Sequence, residues 1–228
     1  MHQLAKKISL LWRRFVFTVV GTSIMVSLGG CGQNWGWYVV NPTTPAGQQN
    51  LKFLIDGLYY TIALSLTAIC ISIIVGLLIA LPGLSTQRVP RSINRVYVEL
   101  IRSIPLLVLI LWVYYGLPQV AGISISMFWA GVLALSMSDS AFQAEIFRAG
   151  IQSINRGQYE AAASISLNYR DTMRYVILPQ AIKRILPALG NQLVYMLKMS
   201  SLVSVIGMQE LTRRANELVV TCLLYTSD

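Results

Sequence analysis

Membrane-length apolar runs constrain this chain more than any other feature. They cover positions 15–32, 58–82, 98–117, 123–142 and 188–207, and a hydrocarbon core of about 30 Å requires roughly 20 helical residues at about 1.5 Å each. In lipid every backbone donor and acceptor needs a partner within the protein, so only helices and closed barrels span. The runs are continuous and lack the alternating pattern of about ten residues that marks a barrel strand. Of the 228 residues, 55% are hydrophobic and 12% charged. Mean hydropathy is +0.59, which excludes an ordinary water-soluble globule. The sequence predicts an all-α, polytopic membrane helical bundle with spans at Phe15–Gly32, Leu58–Pro82, Val98–Leu117, Ile123–Phe142 and Ala188–Gly207.

Positive charge sets the orientation, because Lys and Arg are retained on the cytoplasmic side. Lys6, Lys7, Arg13 and Arg14 precede the first run, and Arg88, Arg91, Arg95 and Arg102 surround the next loop on that side. Arg148, Arg156, Arg170, Arg174, Lys183 and Arg184 fill the long segment before the last run, whereas the other side holds only Lys52, Arg213 and Arg214. This pattern predicts a multi-pass protein of the bacterial plasma (inner) membrane with a cytoplasmic N-terminus. The net charge of +9 then reflects topology and attraction to the lipid bilayer. Its spread over three loops argues against nucleic acid as a partner.

Residues 1–50 read as an N-terminal helix, or a lipoprotein-like signal ending at Leu28-Gly29-Gly30-Cys31, followed by an extracytoplasmic loop. Residues 51–221 form the transmembrane domain, with a cytoplasmic loop at 146–187. Residues 222–228 read as a translated sequencing adapter, with the natural chain expected to carry one more span beyond about Thr221. Cys31, Cys70 and Cys222 make neither a metal cluster nor a disulfide framework, and His2 is the sole histidine, so a membrane enzyme is disfavoured.

Within the cytoplasmic loop, Gly157-Gln158-Tyr159-Glu160-Ala161-Ala162 is followed by Tyr175-Val176-Ile177-Leu178-Pro179-Gln180-Ala181. Glu160 is expected in the first turn of a short helix, where a carboxylate meets the positive helix end, with Ala161, Ala162 and Ala163 leaving a bare surface that a partner can approach. Asn168 can cap a second short helix with Asp171 three residues on, and Pro179 disfavours helical backbone at Leu178. A helix-turn-helix knuckle results.

These residues resemble the permease subunits of ABC importers of the polar amino acid uptake family, from about Leu51 to Val220. The resemblance includes Asp56-Gly57-Leu58 with Thr61, Glu99-Leu100-Ile101-Arg102-Ser103-Ile104-Pro105-Leu106-Leu107 and Ala144-Glu145-Ile146-Phe147-Arg148. The Glu160 motif follows, then Ser201 to Gly207 and Gln209-Glu210-Leu211-Thr212-Arg213-Arg214.

The resemblance implies a type I importer permease fold in which the loop docks on a cytoplasmic ABC ATPase present in two copies. Docking would fall on Gly157, Gln158, Tyr159, Glu160, Ala161, Ala162, Ser166, Leu178 and Pro179. It also implies an extracytoplasmic amino acid-binding protein and a second permease chain, identical or related. ATP and Mg2+ would sit on the ATPase, and no cofactor would be bound by this chain, which has no phosphate-binding loop. Two departures stand out: Ser166 replaces the usual glycine, at a cost of about 1 kcal/mol if the backbone there is left-handed, and Lys198-Met199-Ser200 lacks the usual acidic neighbour.

Lys198, Asp139, Ser200 and Ser201 are candidate substrate-pathway residues, since ionisable groups within spans are functional by default. Against this, Lys198 can snorkel and Asp139 can be a hydrogen-bonded structural acid. Glu145 and Arg148 are placed to pair, Pro82 and Pro105 to bend or end helices, and Gly76 to permit close packing. Trp35, Trp37, Tyr38, Trp112, Tyr114 and Tyr115 fit an interfacial belt. The alternative class is an ion-gradient-driven secondary transporter or channel, which would need no ATPase.

Overall fold

The computed structural model describes residues 37–85 and 87–225. The expected helix at Phe15–Gly32, the Cys31 box and residues 226–228 lie outside them. Among the described residues every regular element is helical.

A 3-10 turn at Trp37–Val40 leads into helix α1, Pro45–Gly83. Thr44 caps it, its hydroxyl oxygen accepting from Gly47 N–H at 3.1 Å, and Pro45 follows where a missing N–H costs nothing. Pro82 and Gly83 close its far end. At about 1.5 Å per residue α1 is about 58 Å long. Alone among the described helices it is long and apolar enough to cross a membrane by itself.

The expected continuous span Val98–Leu117 is broken. Helix α2, Arg88–Ser103, and the segment α3, Leu106–Ala121, meet at 92° and pass as a span only together. Ile104 takes extended backbone (φ −87°, ψ 122°), the conformation that sterics favour before proline, and Pro105 starts the new helix. A π-helical turn occupies Trp112–Gly116 of α3. Gly122 then stops it in the left-handed conformation (φ 68°), its N–H donating to Pro118 C=O at 2.9 Å.

Helix α4, Met127–Gln152, is followed by the short helix α5, Arg156–Ser164. One turn at Tyr169–Asp171 and a π-helical stretch at Thr172–Ile177 continue into α6, Leu178–Met199. That helix starts ahead of the expected Ala188 and tightens to a 3-10 helix at Ser200–Ile206. Gly207 (φ 94°) ends it, and α7, Leu211–Tyr225, completes the described chain. Neither α4 nor α6 is apolar enough to cross a membrane by itself, since Asp139, Glu145, Arg148, Lys183, Arg184 and Lys198 interrupt their apolar residues.

The frame is the parallel pair α1 and α4, in which Leu64 meets Gly131, Ser72 meets Asp139 and Gly76 meets Gln143. Their seam is built from small buried residues, including Ala68, Ser72, Gly76 and Ala80 facing Gly131, Ala134, Ala141 and Ala144, which lets two backbones approach closely in lipid. A side chain at Gly76 would collide with Gln143, and one at Gly131 would reach 2.7 Å from Val203.

Apolar packing forms two clusters along this frame. Leu64, Ala68, Leu109, Ile110, Leu135 and Met196 belong to one, toward the α7 end. Ala80, Val98, Phe147, Ile177, Ala181 and Ile185 belong to the other, toward α5. At the α7 end, the family-like segments around Thr61 and Glu210 meet: Leu211 N–H donates to Thr61 Oγ1, and buried Glu210 caps α7 by accepting from Thr212 and Arg213 N–H at 2.8 and 2.7 Å. Arg214 packs over the Phe53 ring at 4.6 Å and donates to Phe53 C=O at 2.7 Å, beside Asp56 at 3.6 Å.

Candidate functional site

Helix α5 carries the Glu160 motif, and local chemistry fixes both of its ends. Asn155 starts it, its Oδ1 accepting from Gly157 N–H at 2.9 Å. With Arg156 as the first helical residue, Glu160 lies in the second turn rather than the expected first one, because the cap is Asn155 and not a residue nearer the glutamate. Its interaction with the helix dipole is correspondingly weaker, since that effect fades beyond the first turn.

A Schellman stop closes α5. Ser166 N–H donates to Ala163 C=O at 2.9 Å and Leu167 N–H to Ala162 C=O at 3.1 Å, with Ser166 left-handed at φ 56°. It is the only non-glycine residue with positive φ among the described residues. The chain therefore uses serine where the motif's geometry favours glycine.

Asn168 caps the next turn as expected, Oδ1 accepting from Asp171 N–H at 2.9 Å while Nδ2 donates to Asp171 Oδ2 at 2.7 Å. Leu178, expected to leave the helical region ahead of Pro179, is instead fully helical (φ −59°, ψ −43°). The π-helical stretch explains this: Leu178 N–H bonds Met173 C=O, five residues back, and the wider turn relieves the clash of a proline ring with the preceding carbonyls. The second helix of the knuckle is thus not short; it is the start of α6.

Side chains seat α5 against that rod. Ala162 is buried, Ile177 fully so, and Tyr159 packs on the apolar cluster that contains Ile177. Burial pushes the Tyr159 phenol above its ordinary value, with neighbouring Tyr169 adding to the shift. Gln180 Nε2 donates to Gln158 Oε1 at 2.9 Å, and Arg184 bonds the Ser153 carbonyl and, at 3.1 Å, its hydroxyl. Gly157, Glu160, Ala161, Ser166, Leu178 and Pro179 are exposed, together with Ala163, Ile165 and Tyr169. The exposed surface therefore combines small, apolar and aromatic side chains with the Glu160 carboxylate, and Arg156 and Arg170 are exposed beside them.

Between the two apolar clusters lies a polar layer. Asp139 is buried, accepting from Ser72 Oγ at 2.5 Å and Gln143 Nε2 at 3.0 Å, and from Gln192 Nε2. Tyr97 Oη bonds Ser140 Oγ at 2.7 Å beside it. The layer joins α1, α4 and α6 through the Asp139 carboxylate, which accepts from all three. Ser72, Gln143 and Gln192 escaped the sequence reading. Ser72 lies near the middle of the second apolar run, Gln143 directly follows the fourth and Gln192 falls early in the fifth, and polar groups at such positions were the signal available.

The other pathway candidates are not gathered around Asp139. Lys198 is exposed, with no ion-pair partner among the described residues. Ser200 is fully buried, its hydroxyl donating back to Leu197 C=O at 2.8 Å, and half-buried Ser201 donates to Lys198 C=O at 2.7 Å. Glu145 and Arg148 do pair, at 2.7 Å. Trp112 and Tyr115 are exposed on α3, and the Trp35, Trp37 and Tyr38 side chains lie outside the described residues.

Comparison with known proteins matches this architecture. Residues 68–221 fit the family model described as the binding-protein-dependent transport system inner membrane component. The chain is 39% identical to the arginine transport system permease protein ArtQ of Bacillus subtilis strain 168, over 72% of this chain and 75% of that protein. It is 40% identical to the probable glutamine ABC transporter permease protein GlnM of the same organism, over 73% and 77%. A crystal structure of an amino acid ABC transporter with histidines superposes with TM-score 0.71 at 46% identity, covering 78% of this chain and 81% of that one. An inward-facing MetNI methionine ABC transporter shares the fold with TM-score 0.59 at 19% identity, over 76% and 91%. The all-helical frame, the family match and these relatives together place the chain in the family of binding-protein-dependent transport system inner membrane components, as an ABC importer permease.

Proposed function

We propose that this chain forms the translocation pathway of an ATP-driven amino acid importer and receives its driving force through α5. The observation that carries the reading is the exposed α5 face, with Glu160 beside Ala161 and Ala163 on a short helix capped at both ends and packed onto the start of α6. A motor subunit seated there acts directly on a helix that continues past the polar layer. The amino acid cargo is inferred from the relatives' names, which include arginine and glutamine systems.

In this reading α5 and the basic residues near it face the cytoplasm, and two ATPase subunits hold ATP and Mg2+. A second permease chain completes the pathway, and an extracytoplasmic binding protein delivers the amino acid. Transport then follows from a two-state bundle biased by nucleotide and by the loaded binding protein. The test is co-purification. The membrane-extracted chain should bring down an ABC ATPase, and Glu160→Lys should abolish that association while leaving the chain folded. Full ATPase retention by Glu160→Lys, or uptake that persists without ATP and follows an ion gradient, would defeat the proposal.

A further inference from the structure

The rod formed by the π-helical stretch and α6 meets the connection between α4 and α5 along two neighbouring rows of its residues. Ile177, Ala181 and Ile185, spaced four apart, are buried and share an apolar cluster with Ile154, which sits in that connection. Contact is tightest at Gly150, where an added Cβ would come within 2.2 Å of Ile185 Cγ1, so glycine is what lets α4 and α6 close to this distance. Gln180 and Arg184, also four apart, form the second row. Gln180 donates to Gln158 of α5 at 2.9 Å, and Arg184 reaches Ser153, the residue that ends α4.

The Arg184 contact is a helix cap supplied from another helix. Ser153 Oγ donates its own proton to Gly150 C=O at 2.7 Å. Its lone pairs and the Ser153 carbonyl are left to accept from Arg184 Nη1, the hydroxyl at 3.1 Å. Both acceptors lie at the C-terminus of α4, where carbonyls have no partner within their own helix and the dipole favours a cation. No carboxylate among the described residues lies within ion-pair distance of Arg184, so the end of α4 is the negative group it meets.

A second tie, from Gln192 to Asp139, joins α6 to α4 further along. One tie between two helices leaves a pivot, whereas two at different levels stop them tilting independently. We propose that Arg184 is a positioning residue for transport: by capping α4 from α6 it makes the end of α4, α5 and the start of α6 one body, so that a displacement of α5 drives α4 and α6 together. This role rests on the reading that an ATPase acts through α5, and adds that the moving unit is a pair of helices rather than α6 alone. Without Arg184 the motor still docks, because the exposed α5 surface is untouched, but α4 lags behind α6.

Vesicles holding the full chain, the ATPase that co-purifies with it and its binding protein test this, with a mixture of radiolabelled amino acids as the probe. Arg184→Ala should bring down as much ATPase as the parent and still hydrolyse ATP, while amino acid imported per ATP falls about fivefold. Arg184→Lys, which keeps a charged donor, should retain most of that ratio, and Lys183→Ala all of it. A covalent bridge should replace the cap: in Ser153→Cys with Arg184→Cys, with Cys31, Cys70 and Cys222 changed to alanine, a short reducible bis-thiol reagent should restore the ratio and its reduction should lower it again. Import per ATP equal to the parent's in Arg184→Ala would overturn the proposal, as would loss of the ATPase from that variant, which would move Arg184 into docking. A ratio that falls only with the melting temperature and is not restored by the bridge would make Arg184 a stabilising residue and overturn it too. If the parent itself brings down no ATPase, the reading of α5 fails and this role with it; if the parent does and Arg184 is indifferent, only this role fails.

Discussion

Thr61 and Leu211, 150 positions apart, are joined by one hydrogen bond: the Leu211 N–H donates to Thr61 Oγ1 at 3.0 Å. The same hydroxyl donates to Gly57 C=O at 3.1 Å, so the side chain serves α1 and α7 together. Two segments that look unrelated in the sequence form one clasp, because α7 starts with backbone donors that have no partner inside their own helix.

Replacing Thr61 with Val keeps the shape and removes the acceptor, and Glu210→Ala removes the acceptor for two further N–H groups. Each should weaken the α7 attachment by about 1–2 kcal/mol. Limited proteolysis would report this as faster cleavage within residues 207–221, with the rest of the chain as resistant as before. Unchanged cleavage rates would show that the clasp contributes nothing.

At the opposite end, Ser166→Gly should stabilise the knuckle by about 1 kcal/mol, because glycine adopts φ near 56° without the steric cost borne by serine. Ser166→Val should do the reverse. Hydrogen exchange of the Leu167 amide, which closes the Schellman stop, distinguishes the two.

Asp139 is surrounded by donors, so its removal strands them. Asp139→Leu leaves Ser72, Gln143 and Gln192 facing an apolar group and should cost about 3 kcal/mol or more. Asp139→Asn retains one carbonyl oxygen and should cost less. If the residue is structural, uptake in reconstituted vesicles will fall with thermal stability while amino acid preference stays fixed. A changed preference in a stable Asp139→Asn protein would return this residue to the substrate pathway.

Gly76 faces Gln143 and the Ala144 N–H across the α1–α4 seam. Gly76→Val should separate the two helices and destabilise the bundle by about 1–3 kcal/mol or more. Gly190, with open space around it, should accept alanine with little change. Detergent-solubilised melting temperatures of the two variants give the comparison directly.

The helical class, the short motif helix, the Asn168 cap and the Glu145–Arg148 pair were readable because each depends on neighbours within a few positions, whereas the left-handed Ser166 was raised only as a condition, by the glycine that the resemblance places there. Pro105 announced a break but not its angle, which is set by how α2 and α3 pack on α4. Pro179 misled, since local sterics argue against a helical Leu178 whereas the π-helical stretch accommodates it. The Asp139 layer and the Thr61 clasp were not legible because their members are 67 and 150 positions apart, and only the packed bundle brings them together.

From Tyr169 to Met199 the backbone stays helical without an intervening loop, over about 45 Å. A strut of that length has a simple mechanical property: tilting it by about ten degrees about one end swings the other by roughly 8 Å. Gln192 rides on this strut and is tied to Asp139, so such a swing must either break that tie or carry α4 along with it.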